Sequence, residues 1–190
     1  MGEKIAVREL KEIHKLLSLL IDKGVDYMVT GEAALSILLN EKTVEEDLDI
    51  IAFSPDPVLE EDFYYDLSVE LGCEYEKNSL GGPKLIFEDG FSIDFFSVSM
   101  NLEVPQDILQ HYEKVRLPDG RIVKVASLEA ALLLKAQAVA WETASEEELE
   151  SYVARIGKRI NKSRIDKLLE LYDEGVRKTL VRVIRKAGFS

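Results

Sequence analysis

The chain has 190 residues, 46% hydrophobic and 32% charged, which is enough apolar content for one domain with a real core and too short for two large ones. Its single cysteine, Cys73, excludes an intramolecular disulfide and a thiolate zinc cage, and His14 and His111 stand too far apart to suggest a histidine metal site. The net charge of −12 is uneven: from Ser151 onward 11 Lys and Arg face 4 Asp and Glu, a net of +7, which leaves −19 for residues 1–150. An acidic body of this kind argues against tight non-specific duplex binding, because phosphate contacts need clustered Lys and Arg. No apolar run reaches about 18 residues, and the N-terminus has no basic region followed by an apolar stretch and a cleavage site. The expectation is a cytoplasmic protein without a membrane partner.

Residues 5–23 place Ile5, Leu10, Ile13, Leu16, Leu17, Leu20 and Ile21 at helical spacing and predict an amphipathic helix. Residues 25–29 read as a short strand, which Thr30-Gly31 turns into a second helix over 32–39. Residues 47–53, with β-branched and aromatic character, predict another strand. Ser54-Pro55-Asp56-Pro57 then breaks the chain ahead of a helix over 59–71. Strands are expected at 73–76, 84–87 and 91–98, the last two joined by Asp89-Gly90, a strong hairpin signal. A short helix near 105–112 precedes a second hairpin, 115–117 with 121–125, around Pro118-Asp119-Gly120. Ser127 caps a helix running to about Trp141, and two or three further helices follow. The expected architecture is α+β. A mixed, mostly antiparallel sheet flanked by helices forms a core over 1–126, and a helical C-terminal subdomain over 127–190 packs on it as part of one structural unit.

The sharpest chemical feature is Asp47-Leu48-Asp49-Ile50. Strand side chains alternate faces, so the two carboxylates emerge together, about 7 Å apart along the chain. Two such anions call for solvent screening, a proton or a shared cation. With oxygen ligands only, that cation would be hard, such as Mg²⁺. The alternative is a solvated strand edge bearing two acids. Asp94, within Phe91-Ser92-Ile93-Asp94-Phe95-Phe96, is costly to bury without a partner. If its strand pairs beside 47–53, three carboxylates converge, enough for one or two magnesium ions; otherwise Asp94 is the outward residue of an alternating strand. Gly31 permits close backbone approach and leaves the first amides of the following helix free for an anion such as phosphate. Lys135 and Gln137 are the only polar side chains between Ala130 and Trp141, so this lysine must snorkel to solvent or pair with an anion. Gly81-Gly82-Pro83 reads as a plain turn or a mobile loop. No nucleophilic triad is present.

Taken in order, Val29-Thr30-Gly31-Glu32-Ala33-Ala34-Leu35, Asp47-Leu48-Asp49-Ile50 and Ile93-Asp94-Phe95 resemble the minimal nucleotidyltransferases of the DNA polymerase beta superfamily. Ser127-Leu128-Glu129 and the helix carrying Lys135 look like the C-terminal helix of the branch that includes toxin-type members. The likeness spans roughly residues 23–140. It implies the nucleotidyltransferase fold and a Mg²⁺- or Mn²⁺-dependent transfer of a nucleoside monophosphate from an NTP to an acceptor hydroxyl on RNA, protein or a small molecule. Asp47, Asp49 and Asp94 would then be the metal-binding and catalytic acids, and Thr30, Gly31, Glu32 and Lys135 would lie at the nucleotide. The basic C-terminal segment is a candidate contact for an RNA acceptor or for the NTP, or it compensates the acidic body of its own chain. A protein partner or homo-oligomer is also compatible. Two departures stand out. Glu32 occupies a place where the family has Gly or Ser, and Thr43-Val44-Glu45-Glu46 matches poorly the basic and hydroxyl residues that precede its Asp pair. The competing expectation is therefore a non-catalytic binding module of the same fold, such as one component of a toxin–antitoxin pair.

Overall fold

The computed structural model describes residues 6–99 and 104–186. These residues divide into two compact units, one of 6–99 with Lys114–Val125 and the other of Val104–Glu113 with 126–186.

The first unit is built on a seven-stranded sheet. Its strands are β2 (Asp26–Val29), β4 (Asp47–Ser54), β5 (Glu74–Lys77), β6 (Pro83–Ile86), β7 (Ser92–Ser97), β8 (Tyr112–Arg116) and β9 (Ile122–Ala126), arranged in the order β5-β6-β7-β4-β2-β9-β8. β4 runs parallel to β7 and antiparallel to β2, β2 runs parallel to β9, and β5–β6 and β6–β7 are antiparallel. The sheet is thus mixed and the fold class is α+β, as the sequence predicts.

One face of the sheet is apolar because the strand alternation makes it so. Leu48, Ile50, Leu85, Ile93 and Phe95 have no solvent exposure, and each such side chain contributes about 2 kcal/mol on burial. Helices α1 (Leu10–Asp22) and α3 (Glu61–Leu71) cover this face. The Tyr27 hydroxyl donates to the Leu17 carbonyl of α1 at 2.7 Å, and the Tyr64 ring of α3 lies 4.6 Å from that of Phe95. Ile13, Leu17 and Leu20 supply the buried stripe of α1 at the expected spacing.

The helix expected over 5–23 starts later in the structure. Residues Val7–Glu9 form β1, antiparallel to β3 (Thr43–Glu45), and Glu9 and Glu12 make the capping box that opens α1. Ile5 lies outside the described residues. A three-residue strand carries no periodicity of its own, and its partner sits more than 30 residues further on. Arg8 ties this segment down. Its guanidinium donates twice to Asp89 at 3.0 Å and lies 4.1 Å from the Phe87 ring centroid and 4.7 Å from that of Phe91. Arg8→Ala is therefore expected to lower stability by about 1 kcal/mol, and Arg8→Lys to recover only part of it, because an ammonium cannot reproduce the planar fork. Denaturant midpoints at unchanged slope measure this. Equal stability of all three proteins would reduce the clamp to a surface ion pair.

In the second unit, α4 (Leu128–Ala140) packs against α5 (Glu146–Ile156), α6 (Lys162–Leu169) and α7 (Glu174–Lys186). Ser127 caps α4 as expected, its hydroxyl accepting from the Ala130 amide at 3.2 Å. The short helix expected near 105–112 is reduced to one 3₁₀ turn, Ile108–Gln110, and Tyr112 already opens β8. Pairing of that strand in the sheet overrides the local helical pattern. Part of the basic C-terminal charge is met within the unit. Arg182 pairs with Glu146 at 2.9 Å, Arg164 with buried Glu129 at 3.3 Å, and Lys186 with Glu150. No helix of the described residues is long and apolar enough to cross a membrane.

Candidate active site

Asp47 and Asp49 alternate with the fully buried Leu48 and Ile50, so their carboxylates leave β4 on the face away from α1 and α3. β7 lies alongside in parallel, with Ser92 opposite Asp47 and Asp94 opposite Asp49. β6 follows antiparallel, with Lys84 opposite Asp94. Residues directly opposite each other across a sheet project to the same side, roughly 5 Å apart. Lys84, Asp94 and Asp49 therefore form one row across three strands. Thr30 extends it on the β2 side, where its amide donates to the Asp49 carbonyl at 2.9 Å.

Asp94 is only 5% exposed. The cost of burying it is offset by two donors to the same oxygen, Oδ2: the Ser92 hydroxyl at 3.2 Å and the Lys84 ammonium at 3.1 Å. Among the described residues, no three His, Cys, Asp or Glu side chains approach closely enough to form a metal cluster. Asp47 and Asp49 are half-buried. Their donor atoms are all oxygen, the chemistry that suits a hard divalent cation. Lys84 is the participant that sequence reasoning misses. It follows an unremarkable glycine-rich turn, and only the β6–β7 register places it against Asp94.

Gly31 opens α2 (Gly31–Leu39) with φ +63°, in the left-handed region. A Cβ on this residue would stand 1.9 Å from Asp49 Oδ2 and 2.8 Å from its Cγ. The helix start is thus pressed against the carboxylate. Thr30, the residue before α2, is buried, yet its hydroxyl does not cap the helix and its Oγ1 has no hydrogen-bond partner. That is a vacant polar valence on the same face as Asp49. Glu32 sits in the first turn of α2, where the helix dipole favours an acid. Lys135 belongs to the second unit. There it finds an anion, Glu148, at 2.7 Å, and its ammonium lies 5.0 Å from the Tyr152 ring centroid. The Lys135 ion pair contributes to holding the Glu148 carboxyl below its usual range, against the opposing effect of desolvation.

The same fold occurs in an antigenic nucleotidyltransferase-like protein from Paracoccidioides brasiliensis, with a TM-score of 0.59 and 19% identity over 95% of this chain and 89% of that one. It also occurs in ANT(2'')-Ia in complex with adenylyl-2''-tobramycin, with a TM-score of 0.58 and 18% identity over 91% of this chain and 97% of that one. These likenesses define a nucleotidyltransferase fold. Residues 9–186 match the family described as "Nucleotidyl transferase of unknown function (DUF2204)", and the chain belongs to that family. No match was found among curated proteins.

Proposed function

We propose that this protein transfers a nucleoside monophosphate from an NTP to an acceptor hydroxyl at the face carrying Asp47, Asp49 and Asp94. The contact between Gly31 and Asp49 carries the reading. A tight strand-to-helix turn needs the positive φ, but it does not need a carboxylate held where a Cβ would be. Holding an acid against a helix start makes sense where an anion and its counter-cation share the space.

In this reading the first amides of α2 receive the polyphosphate, with Gly31 allowing the backbone to come close. Asp47 and Asp49 would hold Mg²⁺ or Mn²⁺, which when bound supplies Lewis-acid polarisation and neutralises phosphate charge. The acceptor oxygen bonds to the α-phosphorus, the bond from that phosphorus to the bridging oxygen breaks, and pyrophosphate leaves. Asp94 orients the acceptor hydroxyl and takes its proton. Positioning and charge neutralisation do the rest. The complex of ANT(2'')-Ia with adenylyl-2''-tobramycin is consistent with a small-molecule acceptor.

Glu32 favours a second reading, a binding module that holds a nucleotide without transferring it. Calorimetry with ATP and with GTP, with and without Mg²⁺, separates the cases when followed by an assay for pyrophosphate release. Metal-dependent binding with release supports transfer, and binding without release supports the module. No binding at millimolar nucleotide would overturn both. Glu32→Ser is expected to tighten NTP binding severalfold, since removing one like charge at close range is worth about 1 kcal/mol after screening. The same change should cost the ligand-free protein about 0.5 kcal/mol through the helix dipole. Unchanged affinity would show that Glu32 faces away from the phosphates.

A further inference from the structure

We infer that Lys84 and Ser92 are positioning residues that grip Asp94 by one carboxylate oxygen, Oδ2, so that the other, Oδ1, is presented to the acceptor hydroxyl. The inference rests on the nucleotidyl-transfer reading and deepens it by assigning the proton acceptor to a single atom. The Lys84 ammonium lies 3.1 Å from Oδ2, and the Ser92 hydroxyl donates to the same atom at 3.2 Å. Oδ1 accepts no hydrogen bond from the described residues. Two separate pieces of backbone set this grip. Ser92 stands two residues before Asp94 on β7, and so on the same face, while Lys84 is the register partner of Asp94 on β6. Ser92 is itself buried, and buried Pro83 and Leu85 on either side of Lys84 set the face of β6 from which it projects.

The terminal torsion of an aspartate is soft, and an ungripped carboxylate turns about it readily. Two donors on one oxygen take that motion away, and the charged donor is the stronger of the two. The Asp94 side chain is 6% exposed against 30% for Lys84, so this contact is poorly screened at the carboxylate while the ammonium keeps its solvent edge. A carboxylate oxygen without a hydrogen bond in so buried a side chain is costly, and a hydroxyl arriving at Oδ1 offsets that cost. In the transfer step the oxygen of this hydroxyl bonds to the α-phosphorus as its proton passes to Oδ1. The bond from phosphorus to the bridging oxygen breaks, and pyrophosphate leaves with that electron pair. A general base acts only within hydrogen-bond reach of the proton it takes, so a carboxylate that turns loses rate without loosening the nucleotide.

Pyrophosphate release from ATP and Mg²⁺, with water as the acceptor, tests this. Lys84→Met is expected to lower kcat about tenfold or more at unchanged KM for ATP, and Ser92→Ala to lower it less. Lys84→Arg should keep most of the rate, because a guanidinium can donate to the same oxygen. Added to Asp94→Asn, in which the base is already gone, Lys84→Met should change kcat by less than about twofold. A crystal structure of Lys84→Met should show the Asp94 carboxylate turned from its native orientation. A lower Tm with unchanged kcat would make the ion pair purely structural and overturn the inference. A raised KM, or losses that multiply in the double variant, would put Lys84 on the nucleotide and overturn it too. So would an unturned Asp94, and in all these cases nucleotidyl transfer stands. No release by the native protein would overturn both. If Lys84→Met does not fold, Ser92→Ala carries the same kinetic and structural readouts.

Discussion

Gly31→Ala is expected to weaken triphosphate binding at least tenfold and to destabilise the ligand-free protein by about 2–3 kcal/mol. The backbone contribution comes from φ +63°, which costs a residue with a Cβ about 1–2 kcal/mol. The contact contribution comes from the added methyl at 1.9 Å from Asp49 Oδ2, a distance no real pair tolerates, so that either the carboxylate or the start of α2 must move. A displaced Asp49 no longer aligns with Asp47, and about 1.4 kcal/mol of lost binding corresponds to the tenfold. Gly72→Ala is the control. Its φ of +65° is nearly the same, but nothing lies within 4 Å of its would-be Cβ. It should show the backbone cost alone with native affinity for tripolyphosphate. Equal effects of the two substitutions on stability and binding would show that the Asp49 contact carries no weight.

Asp49→Asn is the second large effect. It should lower pyrophosphate release by about 10³-fold or more, because the remaining acid of the pair cannot hold and orient the charge the reaction needs. Stability should be unchanged or higher, since the substitution removes one of two like charges that leave the same face of β4. Asp94→Asn should behave oppositely in the ligand-free protein. It leaves the Lys84 ammonium without its anion and so costs stability, on the order of 1 kcal/mol given that Lys84 is partly exposed. Thermal melts of both variants in metal-free buffer give the two signs directly. Marked destabilisation of Asp49→Asn would assign that carboxylate to the scaffold and remove it from the chemistry.

The features legible in the sequence are those with local causes. Alternation places Asp47 and Asp49 on one side of β4 because a strand's period of two operates within three residues. The turn at Thr30-Gly31 could be placed because a glycine between a short strand and a helical run serves a recognisable local geometry, and Ser127 could be named as a cap for the same kind of reason. The ordered spacing of these pieces with Asp94 was enough to suggest the family. The choice between an outward Asp94 and one beside the aspartate pair stayed open, because it depends on the register between β4 and β7, whose partner residues are 45 positions apart. Register is set by how the buried faces of Leu48, Ile50, Ile93 and Phe95 pack together, and a one-residue slip would send Asp94 to the other side. Lys84 was invisible for the same reason, as was the anion that meets Lys135. The β1–β3 pairing went unread because strand partners distant in the chain override short local patterns, and the helix near 105–112 shrank because the β8–β9 hairpin begins earlier than its local pattern indicated. Sequence alone determined which chemical groups the chain carries and on which element each one rides. The tertiary structure decided which of them share a row of the sheet, because cross-strand neighbours are chosen by the packing of the whole core rather than by the residues on either side.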